Sequence, residues 1–151
     1  MSTGAGAEAG MPHTVGQLIV LPLAAVSDYR TADLAALIVH EACHLEQRAD
    51  PAWAAAECAR AYGFEPGPPI GPRDRANPDT DRRHYVHSGR RWSWLVQDGE
   101  GRGSGLGAPV PEGDWGAARR AFPWCRNPEH PYEVAAEDAQ RLTAEAIDAD
   151  A

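Results

Sequence analysis

The segment from residue 31 to residue 48 constrains the fold most strongly, because its apolar residues recur at the spacing of a helix. Leu34, Ile38 and Leu45 would lie on one side of an α-helix with about 3.6 residues per turn. Thr31 can cap the start of this helix through its side-chain oxygen. The pattern predicts an amphipathic helix over residues 31–48 that packs on the rest of the chain through its apolar side.

His40, Glu41 and His44 lie within this predicted helix. Residues four apart stack on one side of a helix, so the two imidazoles can reach one zinc ion at about 2.0–2.1 Å. Zinc lowers the pKa of a bound water, and a neighbouring carboxylate can take the proton of that water. The spacing predicts two zinc ligands, His40 and His44, and one general base, Glu41, on a single turn.

A second helix and a proline-rich segment follow. Asp50 and Pro51 are typical of a helix start, since a carboxylate caps the helix and proline fits its first position. The alanine-rich stretch after them predicts a helix that continues to Tyr62 and ends at Gly63. Residues 65–82 contain five prolines and two glycines, which predicts a loop or a lid.

Two regions rich in β-branched, leucine or aromatic residues predict short strands. Gln17–Leu23 is the first of them, and His84–Val96 holds two shorter runs separated by Ser88 and Gly89. The glycine-rich segment Asp98–Gly107 predicts a flexible turn. We therefore expect a small sheet built from these strands.

A third helix is predicted near the end of the chain, where good helix formers run without interruption by glycine or proline. It begins at Pro131, or at Pro128, and continues to about Asp148. Helices and short strands in this order predict an α+β fold. We expect a flexible N-terminus over residues 1–12 and a single domain over residues 13–151.

The sequence LIVHEACHLEQ, which contains His40 and His44, resembles the active-site helix of the zincin metallopeptidases. In one branch of zincins, the metzincins, a glycine follows the second histidine by three residues and a third zinc ligand follows it by six. This chain has Gln47 and Asp50 at those places. The aspartate of the metzincin pattern is thus in place, and the turn-making glycine is not.

The segment PYEVAAE near the end of the chain resembles the other branch, the gluzincins. In that branch a glutamate on a later helix is the third ligand, often with an acidic residue four positions on that supports a ligand histidine. Glu133 and Glu137 match these places, although the family more usually has aspartate at the second. The resemblance implies a zincin-like domain in which a short sheet and an active-site helix support Zn2+ and a C-terminal helix supplies Glu133.

The third ligand has two alternatives to Glu133. Asp50 is an alternative, but it is also well explained as the cap of the second helix. Glu57 on the second helix is another alternative. A helical wheel places Glu133 off the main apolar stripe of its helix, so this glutamate faces the metal only if a second stripe is also covered. The main stripe consists of Ala135, Ala139, Leu142 and Ala146.

Other candidate residues have both a functional and an ordinary explanation. His130 and Tyr132 adjoin Glu133 and would serve either to hydrogen-bond an oxyanion, as such residues do in zincins, or to cap and pack the helix. His84 and His87 are three apart in a predicted strand, so they point to opposite faces and form a poor metal pair. We expect reduced thiols and core-filling indoles at Cys43, Cys58, Cys125, Trp92, Trp94, Trp115 and Trp124.

The charge of the chain disfavours two classes of partner. Its 22 acidic residues outnumber the 14 lysines and arginines, for a net charge of -8. Such a chain repels phosphate backbones and anionic lipids, so we expect no nucleic-acid and no membrane partner. The longest apolar stretch, Leu18–Val26, is too short to span a bilayer. Residues 1–10 lack the basic start and apolar core of a secretory signal, and we expect a cytoplasmic location.

The resemblance implies a zinc-dependent hydrolase, a metallopeptidase that cleaves peptide or amide bonds with Glu41 as general base. A second hypothesis is a metal-dependent enzyme that acts on a small molecule, because so short a chain leaves little room for a two-lobed peptide cleft. A third is a non-catalytic zinc-binding interaction module, against which Glu41 argues, since a structural site needs no base beside its ligands. The expected partner is a peptide or a small-molecule substrate, and the pattern indicates no oligomeric state.

Overall fold

The computed structural model describes residues 11–69, 74–75, 79–92, 96–97, 115–128 and 130–150. Within these ranges the chain forms five helices and three small antiparallel sheets, so the predicted α+β class is confirmed. In chain order the elements are β1 (His13–Val15), β2 (Leu18–Val20), α1 (Leu23–Asp28), α2 (Thr31–Ala49), α3 (Pro51–Tyr62), β3 (Phe64–Pro69), β4 (Asp74–Arg75), β5 (Arg83–His87), β6 (Arg90–Trp92), β7 (Val96–Gln97), α4 (Trp115–Ala121) and α5 (Pro131–Ala149).

An N-terminal hairpin precedes the helices. In it β1 pairs antiparallel with β2, and His13 lies opposite Val20. The strand predicted over Gln17–Leu23 is shorter than expected, because Pro22 is the N-cap of α1 and the chain turns into that helix. Proline fixes φ and lacks a backbone N–H, so it fits the start of a helix better than the continuation of a strand ladder.

The first two predicted helices are confirmed as α2 and α3, and local signals set the ends of α3. The Asp50 carboxylate accepts a hydrogen bond from the Trp53 backbone N–H at 3.0 Å, as a helix cap does. Gly63 ends α3 with φ of 72° and donates its N–H to the carbonyls of Cys58 and Ala59. A left-handed residue at this point is most easily a glycine.

The side of α2 that is buried differs from the predicted apolar stripe. Leu34 and Leu45 are half-buried, and Ile38 is 41% exposed. Leu37, His44 and other residues take the buried positions instead. The stripe was predicted from hydrophobicity alone. Instead, α2 packs on α5, and its buried residues include polar ones, among them Glu41 and His44.

The proline-rich segment contains most of β3 and the whole of β4, so the predicted loop over residues 65–82 is wrong at these two strands. β3 is an edge strand of a three-stranded sheet with the order β3-β5-β6. Proline cannot donate to a strand ladder but is tolerated at a sheet edge, and the pairing of β3 with β5 shifts register between Pro66 and Pro69. Residues 70–73 and 76–78 lie outside the described part.

The predicted strands within His84–Val96 are confirmed as the hairpin of β5 and β6. Ser88 and Gly89 form its turn, both with positive φ, of 51° and 75°. Two positive φ angles in succession are typical of the tight turns that join antiparallel strands. The predicted turn at residues 98–107 and the N-terminal residues 1–10 are not among the described ranges.

The last predicted helix is confirmed as α5, which begins at Pro131. His130 is its N-cap, because the His130 Nδ1 atom accepts the Tyr132 backbone N–H at 3.1 Å. The predicted apolar stripe of α5 is wrong, since Leu142 is 52% exposed and Ala146 is exposed. The buried residues of α5 lie in its first two turns, which pack between α2 and the core.

The core lies among α3, the three-stranded sheet, α4 and the start of α5. The Trp92 indole, which the sequence placed in a core, is 8% exposed and donates to the Pro128 carbonyl at 2.8 Å. All three cysteines are free thiols, and Cys58 and Cys125 are buried while Cys43 is half-buried. Within the described ranges, no helix is both long and apolar enough to cross a membrane. The core cluster contains Ala54, Cys58, Phe64, Tyr85, Trp92, Ala118, Phe122, Cys125, Tyr132 and Val134.

Candidate metal centre

The packing of α2 against α5 brings three side chains together: His40, His44 and Glu133. The two imidazole Nε2 atoms lie 3.2 Å apart. One Glu133 oxygen lies 3.5 Å from His40 Nε2, and the other lies 3.5 Å from His44 Nε2. These residues are the three that the motif and the gluzincin resemblance predicted as ligands.

The spacing of these atoms fits a tetrahedral metal site. Donor atoms at about 2.0–2.1 Å from a tetrahedral zinc ion lie about 3.3–3.4 Å from one another. The two imidazole nitrogens, 3.2 Å apart, are close to that spacing, and each lies 3.5 Å from a different oxygen of Glu133. Two imidazoles and one carboxylate are also a ligand set that zinc takes in catalytic sites, where the fourth position is left for water or substrate. The residues present therefore fit a zinc ion.

The three side chains are shielded from solvent to different degrees. The side chain of His44 is 1% exposed, that of Glu133 is 8% exposed and that of His40 is 13% exposed. Burial lowers the pKa of His44, which favours the neutral ring. Burial opposes the charge of Glu133, but hydrogen bonding and attraction to the histidines outweigh it and lower the pKa of Glu133. His44 and Glu133 thus favour the protonation states that a metal requires. For His40, burial is outweighed by the hydrogen bond and charge of Glu133, which raise the pKa of that ring.

Glu41 lies next to His40 on α2 and is 3% exposed. Burial, with smaller contributions from the charges of Asp79 and Glu133, raises the pKa of Glu41 to about 7, while His40 opposes the shift. Within the described part of the chain, no group donates a hydrogen bond to the Glu41 Oε2 atom. Glu41 is a buried carboxyl group with a free oxygen, and a group with a pKa near neutrality can both take and give a proton.

Gln47 contacts the site in a way that the sequence did not predict. Its Oε1 atom lies 2.9 Å from His44 Nδ1, and its Nε2 atom donates to the Tyr132 carbonyl at 3.1 Å. Gln47 stands where the metzincin pattern has glycine. The helical spacing of three residues from His44 is the signal that could have placed the two side chains in contact.

Glu137 does not have the supporting role that the gluzincin resemblance implied. Its two oxygens accept the backbone N–H groups of Arg126 and Asn127, the second at 2.8 Å. The carboxylate therefore fixes the turn before α5. A glutamate side chain is longer than that of aspartate, and this length allows Glu137 to reach back to that turn.

The alternative third ligands lie elsewhere. Asp50 caps α3, and Glu57 is paired with Arg60 on the exposed side of the same helix. Among the described residues, the group of histidine, cysteine, aspartate and glutamate side chains that could hold a metal ion contains neither of them. Nor does it contain His84 or His87.

His130 and Tyr132 belong to a buried network centred on Asp81, which the sequence did not indicate. Asp81 accepts the hydroxyls of Tyr85 at 2.9 Å and Tyr132 at 3.3 Å, and its other oxygen lies 3.2 Å from His130 Nε2. Burial opposes the charge of Asp81, but these three partners outweigh it and lower the pKa of Asp81. The network holds His130 as the cap of α5, and so fixes the helix start that carries Glu133.

Comparison with protein-family models, with curated proteins and with solved structures found no match. The class of protein is therefore defined by fold and site alone. It is a small α+β protein in which two helices bring together a cluster of two histidines and one glutamate.

Proposed function

We propose that this chain is a zinc-dependent hydrolase of the zincin type that cleaves peptide or amide bonds. The observation that carries the proposal is the approach of His40, His44 and Glu133, at 3.2 Å and 3.5 Å, beside the buried Glu41. In this proposal His40, His44 and Glu133 hold the metal. When bound there, zinc would lower the pKa of a water molecule towards neutrality and polarise a substrate carbonyl.

Glu41 supplies the proton transfers in this scheme. Its carboxylate takes a proton from the attacking water as the water oxygen bonds to the carbonyl carbon. The same proton then passes from Glu41 to the leaving nitrogen as the carbon–nitrogen bond breaks, which returns Glu41 to its ionised form. In the metal-free chain burial raises the pKa of Glu41 to about 7, and the charge of a bound zinc ion would favour the ionised carboxylate that takes the first proton.

The position of Glu133, the third ligand in this proposal, supports the gluzincin branch of the zincins. Glu133 comes from α5, a helix far along the chain from the motif on α2. Asp50 would be the third ligand in the metzincin pattern, but its carboxylate caps α3. A glutamate from a later helix is what distinguishes the gluzincin arrangement that the sequence resembles.

A small-molecule substrate is the second candidate, and the burial of the cluster favours it. With His44 and Glu133 almost fully buried, His40 is the most exposed of the three ligands. Ligand sites that enclose a small molecule are commonly concave and largely shielded from water.

The cytoplasmic location, and the lack of nucleic-acid and membrane partners, stay predictions.

Turnover by the zinc-loaded protein tests this proposal. Wild type, Glu41→Gln and Glu46→Gln would be compared on sets of fluorogenic peptides and small amides. Glu46 is exposed on the same helix and serves as the matched control. We expect Glu41→Gln to lose at least about 100-fold in rate with its metal retained, and Glu46→Gln to resemble wild type. A Glu41→Gln variant as fast as wild type would refute the mechanism, and a zinc-loaded wild type without turnover would favour the interaction module.

A further inference from the structure

Gln47 is a buried polar residue of α2, 4% exposed, whose side-chain amide lies between the candidate metal centre and α5. On one side it contacts His44 Nδ1 at 2.9 Å. On the other it contacts the main-chain carbonyl of Tyr132 at 3.1 Å. Tyr132 is the residue before Glu133, so this one amide is attached to both helices that carry the cluster.

The chemistry of these partners fixes which way the amide points and where the proton of His44 lies. A main-chain carbonyl only accepts hydrogen bonds, so the amide group that faces Tyr132 must be the NH2. The atom that faces His44 is then the Gln47 carbonyl oxygen, which also only accepts. His44 Nδ1 must therefore carry a hydrogen and donate it. In a neutral imidazole this leaves the Nε2 atom with its lone pair free.

That free lone pair points into the cluster. His44 Nε2 is the atom that lies 3.2 Å from His40 Nε2 and 3.5 Å from Glu133. A metal ligand must present an unprotonated nitrogen, and the hydrogen bond of the other ring nitrogen decides which one is unprotonated. Glu137, the residue expected to support a ligand histidine, is bound to the turn before α5 instead.

We propose that Gln47 is a positioning residue that fixes His44 as the Nδ1–H tautomer and ties this ring to the first turn of α5. This inference rests on the proposed metal centre for its purpose, but the tautomer itself does not depend on bound metal. The side chain of Gln47 thus holds both the ring of His44 and the main chain beside Glu133. The expected consequence is a ligand set that is already oriented before metal binds.

Two substitutions separate the polar role of Gln47 from its volume. Gln47→Met has a similar length and removes both hydrogen bonds. Gln47→Glu keeps an acceptor for His44 Nδ1 and loses the donor to Tyr132. Gln140→Met is the matched control, because Gln140 is a half-buried residue of α5 outside the His44 and Tyr132 contacts. The first variant should lose the tautomer, the second should keep it, and the control should leave it unchanged.

The experiment is 15N NMR of the histidine rings in the metal-free proteins, followed by zinc affinity from competition with a chelator. We expect His44 to be the Nδ1–H tautomer in wild type, Gln47→Glu and Gln140→Met, and to lose that preference in Gln47→Met. Zinc binding to Gln47→Met should weaken by about 10- to 100-fold. If Gln47→Met does not fold, Gln47→Glu still decides the tautomer.

The inference is overturned if wild-type His44 is protonated on Nε2, if Gln47→Glu loses the Nδ1–H tautomer, or if Gln47→Met keeps both the tautomer and wild-type zinc affinity. A failure of the proposed function can be distinguished from a failure of this inference. A wild type that binds zinc but shows no turnover, with His44 still protonated on Nδ1, refutes the hydrolase and supports the role of Gln47.

Discussion

His44 Nε2 lies 3.5 Å from Glu133 Oε1, and this contact joins α2 to α5 within the candidate metal centre. His44 belongs to the sequence motif, whereas Glu133 was predicted only through the gluzincin resemblance. The position of Glu133 opposite both imidazoles leaves it as the residue that completes the cluster. Its removal should therefore affect metal binding more than removal of either alternative ligand.

Glu133→Ala should weaken zinc binding by at least tenfold, about 1.4 kcal/mol. Two imidazoles from one helix form a weak site, because zinc in proteins is commonly held by three or four side chains. Competition with a chelator would measure the affinity, with Glu57→Ala as the control, because Glu57 is a half-buried residue of α3 that pairs with Arg60 and lies outside the cluster. Loss of metal from the Glu57 variant and not from the Glu133 variant would contradict the ligand set.

Asp50→Ala separates helix capping from metal binding. The variant loses the hydrogen bond from the Trp53 N–H and should cost about 1 kcal/mol of stability. Its zinc affinity should remain that of wild type. Urea denaturation and chelator competition on the same sample would check both values. A variant with normal stability and no metal would instead favour the metzincin arrangement.

The ends of α3 could be predicted from the sequence because their signals are local, whereas the cap predicted for α2 was wrong: Thr31 is its first residue and Arg30 is its N-cap. Asp50, Pro51 and Gly63 act within one turn of the positions they define, and α3 has the bounds that they indicate. β3 was missed for the opposite reason. Prolines such as Pro66 and Pro68 exclude a central strand but not an edge strand, and the place of a strand in its sheet depends on distant residues.

The residues of the candidate site also fall into two groups: those that local spacing predicts and those that it does not. His40, Glu41 and His44 share one helical turn, so their spacing alone brings them together. The contact of Gln47 with Tyr132 and the contacts of Asp81 with His130 and Tyr132 were not predicted, because these partners are distant in sequence. Such contacts depend on how α5 packs, which no local pattern reports.

Asp81→Asn should lower stability at pH 7 by roughly 2 kcal/mol, because it removes the charged acceptor of a buried network. The pKa of Asp81 is lower in the folded state than in the unfolded state. Its ionised form therefore stabilises the protein above the unfolded pKa, and this contribution is lost as pH falls through the folded pKa.

Denaturation of wild type and Asp81→Asn between pH 7 and pH 2 would show this difference. The gap in stability between the two proteins should be largest at neutral pH and should narrow in acid. Asp148→Asn is the control, since Asp148 is exposed on α5. A constant gap at all pH values would mean that Asp81 acts by packing and not through its charge.

Zinc should stabilise the folded protein. A ligand that binds only the native state adds about 2.7 kcal/mol at a concentration 100 times its Kd. For a chain of this size, that corresponds to a rise in Tm of roughly 5–10 °C. Calorimetry with zinc and with a chelator would measure the shift in wild type and in His44→Ala. An equal shift in both proteins would show that zinc acts away from the cluster.

Zinc stoichiometry tests the central claim most directly. Wild type, His40→Ala and His44→Ala would be loaded with zinc, dialysed at sub-micromolar free metal and analysed for metal content per chain. We expect close to one zinc per chain in wild type and almost none in either variant, because each substitution removes one of the three clustered side chains proposed as ligands. Full occupancy in both variants would contradict the metal centre on α2 and α5.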